Sequence, residues 1–223
     1  MATASGVNAL LVATSATSAM TQVHALSPDG RCKAFGAEAD GYGRGEGYAA
    51  VVLEPAAASS SRALALFVGS AVNQDGRSSG LTAPHGPSQQ ALVMLAMREA
   101  GAAALEYVAT HGTGRAAAVL TGWVQTIMHL TTITSSLDHA SPLTRLGFGN
   151  LLAPSAGTPL GDPIETGALR KAVAGPSSAA GTSFTAGAIK TLTGHLEGTA
   201  GLAGLLLGHV ALSQQFAHGL RYR

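Results

Sequence analysis

Two histidines stand in glycine-flanked strings, His111 in THGTG and His195 in KTLTGHLEG. Both strings follow apolar runs that read as strands, and loops at strand ends are where open α/β folds place their sites. Glycine beside each ring lets a substrate backbone approach closely. Two neutral imidazoles aimed at one carbonyl oxygen would donate hydrogen bonds to a developing oxyanion. Lys190, five residues before His195, is placed to meet a carboxylate such as Glu165. The plainer reading of either histidine alone is a helix cap or a packed turn.

Other candidates are weaker. GYGRGEG (41–47) has the wrong glycine spacing for a dinucleotide loop, and it leads into a strand rather than a helix. The histidines do not form a metal-ligand pattern, and no P-loop, HExxH or GxSxG string occurs. Cys32 lies between Arg31 and Lys33, which would lower its pKa, but the surrounding string is an ordinary turn with no helix start. Asp162 reads as a helix cap and Arg44 as a structural ion-pair partner.

These side chains need a scaffold. Strands are expected at 6–13, 46–54, 64–72, 105–110 and 184–190. Helices are expected from Pro87 to Gly101, from Asp162 to Val173, and from Gly194 to Leu212. In the first helix Leu92, Leu95, Ala96 and Glu99 recur at helical spacing. In the last, Gly204 and Gly208 have the spacing of a close-packed helix pair. Residues 55–62 form a Pro-led link, and 73–80 are rich in turn formers. Strand-helix alternation predicts an α/β domain with helix-covered sheets. Residues 115–157 do not fit. They hold the only Trp, a Thr/Ser-rich middle and no clean period, and they exceed an ordinary loop.

Composition narrows the function classes. The chain has 223 residues, 46% hydrophobic and only 11% charged, which excludes a disordered polyelectrolyte. Net charge is +1 and aromatics are 4%, so neither bulk phosphate binding nor base stacking is supported. One cysteine excludes an internal disulfide. The apolar run 202–212 is short for a membrane span and His209 interrupts it. No positively charged segment precedes an apolar run, so a cytoplasmic location is expected; the Ser/Thr/Ala bias of 14–21 keeps a plastid address open.

Five strings occur in order: SPDGRCKAFGAEADGYGRGEGYAAVVLE, GSAVNQDGRSSGLTAPHGPSQQ, THGTG, TPLGDPIETGAL and IKTLTGHLEGTAGLAGLLL. Together they resemble β-ketoacyl synthase domains, most closely those of modular type I polyketide synthases. The resemblance spans residue 6 to about 212, apart from 115–157. It implies an incomplete thiolase-like fold of layered α/β/α/β/α type, with 1–54 ending an N-terminal half and 62–223 forming part of a C-terminal half.

The implied activity is a decarboxylative Claisen condensation, an acyl transfer in polyketide or fatty acid synthesis. His111 and His195 match the pair that polarises the malonyl thioester. Lys190 and Glu165 match an orienting pair that Asp162 supports. Thr113 and Thr158 match residues contacting the phosphopantetheine arm. No cofactor would bind directly; the arm of an acyl carrier protein delivers substrate. The implied partners are that carrier protein and, in the intact family, a second copy, with neither nucleic acid nor membrane.

The chain departs from the family in four respects. The small-residue string around the nucleophilic cysteine is missing, and Cys32 matches a non-catalytic position. Residues 115–157 split what the family writes as HGTGTPLGDPIE, which predicts a retained intron or a recent insertion; a mature transcript containing the stretch rejects the intron. Leu192 and Thr193 replace Asn-Ile, which is expected to disturb the turn presenting His195. The chain also stops before the family's last strands. The leading expectation is therefore a ketosynthase fragment without condensing activity alone. The alternative is a non-catalytic module that docks a carrier protein or dimerises. A thiolase or chalcone-synthase-like enzyme shares the fold, but the HGTG, TPLGDPIE and GHLE strings favour the ketosynthase.

Overall fold

The computed structural model describes residues 1–10, 13–22, 24–55, 63–74, 85–101, 104–110, 127–134, 143–150, 161–174 and 185–213. His111, Thr113 and Thr158 lie outside these residues, as do the link at 56–62 and most of the turn-rich 73–80 segment.

Two sheets organise the chain. In the first, β1 (Ala2–Asn8) runs antiparallel to β2 (Gly47–Leu53), with Ala2 opposite Leu53 and Asn8 opposite Gly47. The period of two splits this pair into faces. Ala4, Gly6, Ala49 and Val51 turn inward, while Val7, Tyr48 and Val52 are exposed. The strand expected at 6–13 is therefore displaced towards the N-terminus. After it comes a helix that the composition did not suggest, α1 (Ala13–Gln22). Its Ala/Ser/Thr sequence has almost no apolar stripe. Tertiary contacts hold it instead, with Met20 against the buried Ala25, Cys32 and Tyr42.

The second sheet has five strands in the order β3-β5-β6-β4-β7. They are β3 (Leu66–Gln74), β4 (Ala104–Ala109), β5 (Ile127–Thr134), β6 (Leu143–Asn150) and β7 (Thr185–Gly187). β4 is parallel to both β6 and β7; β5 is antiparallel to both β3 and β6. The patternless 115–157 segment thus supplies two interior strands. Backbone pairing rather than side-chain period defines them, which is why the sequence concealed them.

Helix α2 (Gly86–Glu99) carries Pro87 in its first turn, where the missing N–H costs nothing. Its buried face is Leu92, Val93, Ala96 and Met97, with Leu95 only partly buried and Glu99 exposed. This face packs on Ala71 of β3, Val108 of β4, and Leu169 and Ala172 of α3 (Gly161–Ala174). Each such burial contributes about 1.5–3 kcal/mol for a Leu or Val side chain. Because α3 begins at Gly161, Asp162 falls inside the first turn, not at the expected cap position.

The strand expected at 184–190 shrinks to β7. After Ala188 the chain coils into α4 (Lys190–Thr193), with Thr191 N–H donating to the Ala188 carbonyl at 3.2 Å. The long helix expected from Gly194 starts late. His195 pairs instead with another chain segment, Glu197–Thr199 form a short 3-10 turn, and α5 runs from Ala200 to Ser213. Gly204 and Gly208 are buried, and α5 lies on the β4-β5-β6 face of the sheet. No helix among the described residues is long and apolar enough to cross a membrane.

Candidate active site around His195

The parallel strands β4 and β7 end side by side, Ala109 opposite Gly187. Thr110 extends the junction, its N–H and Oγ1 both donating to the Gly187 carbonyl at 2.7 and 3.1 Å. Lys190 to His195 leave from this edge. Lys190 is buried in α4, and Gly194 closes the turn, its N–H donating to the Lys190 carbonyl at 2.9 Å. At a φ of 73° Gly194 takes the left-handed conformation that L side chains avoid, and the chain reverses there to project His195. Leu192 and Thr193 do not disturb this turn: Leu192 points to solvent and Thr193 N–H keeps its bond to the Ile189 carbonyl.

The ring is held by the segment 41–45. His195 N–H donates to the Gly43 carbonyl at 2.7 Å, and Gly45 N–H donates to the His195 carbonyl at 3.0 Å. Tyr42 meets the imidazole edge-on, with centroids 5.2 Å apart and planes at 73°. Gly43 has to be glycine, because a Cβ there would run into the Gly30 carbonyl oxygen. The Cys32 thiol lies against the same residue, accepting from Gly43 N–H at 3.2 Å and donating to its carbonyl at 3.4 Å.

His195 itself is only 9% exposed. Burial, then the cations of Lys190 and Arg44, push its pKa down to about 3, so it is neutral at physiological pH. Its Nδ1 lies 3.1 Å from Glu197 N–H and accepts from it. A neutral imidazole with an accepting Nδ1 carries its proton on Nε2. The ring is thus a neutral Nε2–H donor. Burial pushes the Cys32 thiol up, against weaker opposing effects from the Gly43 backbone, Lys190 and the His195 backbone; Cys32 is a protonated, packed residue.

Among the sequence candidates, Lys190 and His195 come together on one segment, and Glu165 is buried on α3. Arg44 is the ion-pair partner expected, its Nε donating to Glu197 Oε1 at 2.9 Å. The sequence reading missed Tyr42, Glu197 and Thr17, whose Oγ1 accepts from Arg44 Nη1 at 2.9 Å. For Tyr42 a signal existed. Alternating glycines at 41, 43 and 45 make an extended strip with Tyr42 and Arg44 on one side.

Comparison with solved structures places this mixed α/β arrangement in the thiolase-like fold. Solved structures similar to it include ketosynthases. The ketosynthase from module 6 of the bacillaene synthase of Bacillus subtilis 168 has a TM-score of 0.69 and 26% identity, over 95% of this chain and 31% of that one. The Streptomyces albus oxazolomycin ketosynthase domain OzmH KS7 has a TM-score of 0.69 and 28% identity, over 96% of this chain and 30% of that one.

Family models agree: the β-ketoacyl synthase N-terminal domain matches residues 1–59, and the C-terminal domain matches 64–119 and 150–220. The chain belongs to the β-ketoacyl synthase family, whose members are condensing acyltransferases, and to its modular type I polyketide synthase branch. Among curated relatives, a phenolphthiocerol/phthiocerol polyketide synthase of Mycobacterium tuberculosis is 39% identical over 95% of this chain, which spans 8% of that protein. Erythronolide synthase EryA2 of Saccharopolyspora erythraea is 38% identical over 81% of this chain and 4% of its own length. These relatives are bacterial and lend the plastid address no support. The C-terminal family model passes over 120–149, the region that holds β5 and nearly all of β6.

Proposed function

We propose that this chain carries the malonyl side of a ketosynthase site. The observation that carries the reading is the neutral, Nε2-protonated His195 on a glycine turn at the sheet edge. His195 and His111 donate to the thioester carbonyl oxygen of a malonyl group held on an acyl carrier protein. The bond between the malonyl α-carbon and its carboxylate breaks, CO2 leaves, and the electron pair moves into the thioester as an enolate. Donors that meet the new charge on the oxygen lower the barrier by several kcal/mol. The enolate carbon then takes a proton from water, or attacks an acyl thioester whose C–S bond breaks and releases the thiolate.

Lys190 pairs with Glu165 to hold the site, with Asp162 supporting it. Thr113 and Thr158 contact the phosphopantetheine arm, the only prosthetic group the reaction requires. The acyl half needs a thiolate, and the buried, raised Cys32 does not supply one. Residues 1–54 close an N-terminal half, 62–223 form part of a C-terminal half, and the intact assembly is a homodimer in the cytoplasm.

The test is CO2 release from malonyl-loaded carrier protein by the purified chain. Release that disappears in His195→Ala and His111→Ala supports the reading; release unaffected by both substitutions defeats it, and carbon–carbon bond formation by the chain alone defeats its fragment aspect. The second reading, a carrier-docking module, is favoured by carrier pull-down that survives both substitutions without any CO2 release.

A further inference from the structure

Glu197 sits in an unusual backbone conformation. Its φ is 45°, in the left-handed region that disfavours side chains, although Gly198 follows immediately and glycine is the ordinary choice there. In the same turn Glu197 N–H donates to His195 Nδ1, 3.1 Å away. The same residue's carboxylate reaches across to Arg44, 2.9 Å from Nε, and the Arg44 side chain is mostly buried. Arg44 is itself tethered twice, through Nη1 to Thr17 Oγ1 and through its place in the strip that bridges His195.

We propose that Arg44 is a positioning residue that acts through Glu197: the ion pair holds Glu197 in its left-handed conformation, and Glu197 N–H thereby locks His195 in the tautomer that donates from Nε2. An Arg–carboxylate pair whose guanidinium is largely buried is suited to this, since its geometry is more sharply defined than that of a pair with both partners in solvent. A hydrophobic residue at position 44 would preserve the strip but leave Glu197 free to relax. The functional meaning rests on His195 being the malonyl-side donor. The structural statement does not, and it is tested without catalysis.

The experiment is long-range 15N–1H NMR of the full chain labelled on histidine, with the His195 ring assigned by its loss in His195→Gln. The wild-type ring is expected as a single Nε2-protonated species. In Arg44→Ala the ratio of Nε2–H to Nδ1–H forms falls by about tenfold, the net worth of one neutral hydrogen bond. Glu197→Gln, which keeps a hydrogen-bonding side chain and disturbs folding less, gives a fall in the same direction. Arg44→Lys restores part of the ratio, and Thr17→Val leaves it unchanged. A wild-type ring that is Nδ1-protonated overturns the proposal, as does an unchanged single species in both folded Arg44→Ala and Glu197→Gln. If the tautomer shifts while CO2 release from malonyl-carrier is absent even in the wild type, the positioning role stands and the catalytic reading falls.

Discussion

Acidification should expose the cost of burying His195. Burial and the neighbouring Lys190 and Arg44 cations lower its folded pKa from 6.5 to about 3. In the unfolded chain the imidazole binds a proton as pH falls through 6.5, whereas the folded site refuses that proton until about pH 3. The contribution to stability is therefore complete above the unfolded value and is lost as pH falls through this window. The slope is about 1.4 kcal/mol per pH unit, which integrates to about 2 kcal/mol lost by pH 5 and about 3 by pH 4. Urea denaturation of the wild type and of His195→Gln, run at several pH values between about 7 and 4, isolates the effect. Asp29 and Asp40 also have lowered pKa values, held down chiefly by hydrogen bonds from Ser27 and Lys33, and weaken the fold on acidification in the same direction. They are present in both proteins and cancel in the difference. The expected result is a gap in pH dependence of about 2 kcal/mol at pH 5, the wild type losing more. Parallel pH profiles, or a wild type that gains stability relative to the variant on acidification, would refute the reasoning that His195 is buried and neutral.

Other outcomes follow from the same geometry. Gly43→Ala drives a methyl into the Gly30 carbonyl, so the strip must shift; losing its two backbone bonds to His195 at about 1 kcal/mol each lowers the melting temperature by about 4–8 °C, measurable by thermal denaturation. Cys32 should react with a disulfide reagent far more slowly in the native chain than in urea, since its thiol is buried and protonated; equal rates would contradict the packing. Deleting 115–157 rejoins HGTG to TPLGDPIE but removes β5 and β6. It leaves the β3 and β4 positions separated by about 14 Å, three strand spacings, so cooperative unfolding is expected to be lost. A deletion chain that melts like the full chain would show that the sheet does not depend on those strands. Replacing Val7, Tyr48 and Val52 by threonine should reduce binding of a hydrophobic dye without lowering the melting temperature, because all three lie on the exposed face of β1-β2.

Much of the scaffold was legible in the residues themselves. The Val/Ala-rich run that becomes Gly47–Leu53, the run into β3, and Pro87 opening a helix that Gly101 closes are local signals, set by backbone sterics and by apolar side-chain content. So were the glycine-flanked His195 and the ion-pair role of Arg44. What escaped was set by contacts distant in sequence. α1 has no stripe of its own and persists because Met20 and Thr17 find partners far along the chain. The helix expected from Gly194 gives way because His195 is pulled into pairing with Arg44.

Which residue types were available for chemistry, and the family to which their order belongs, could be read along the chain. The state of those residues could not, because folding sets it. Nothing in GHLEG states that the imidazole is neutral or which nitrogen holds its proton. Those properties arise from desolvation, from Lys190 and Arg44 nearby, and from the Glu197 N–H at Nδ1. Each depends on distance through space and on burial, and spacing along the chain does not encode it.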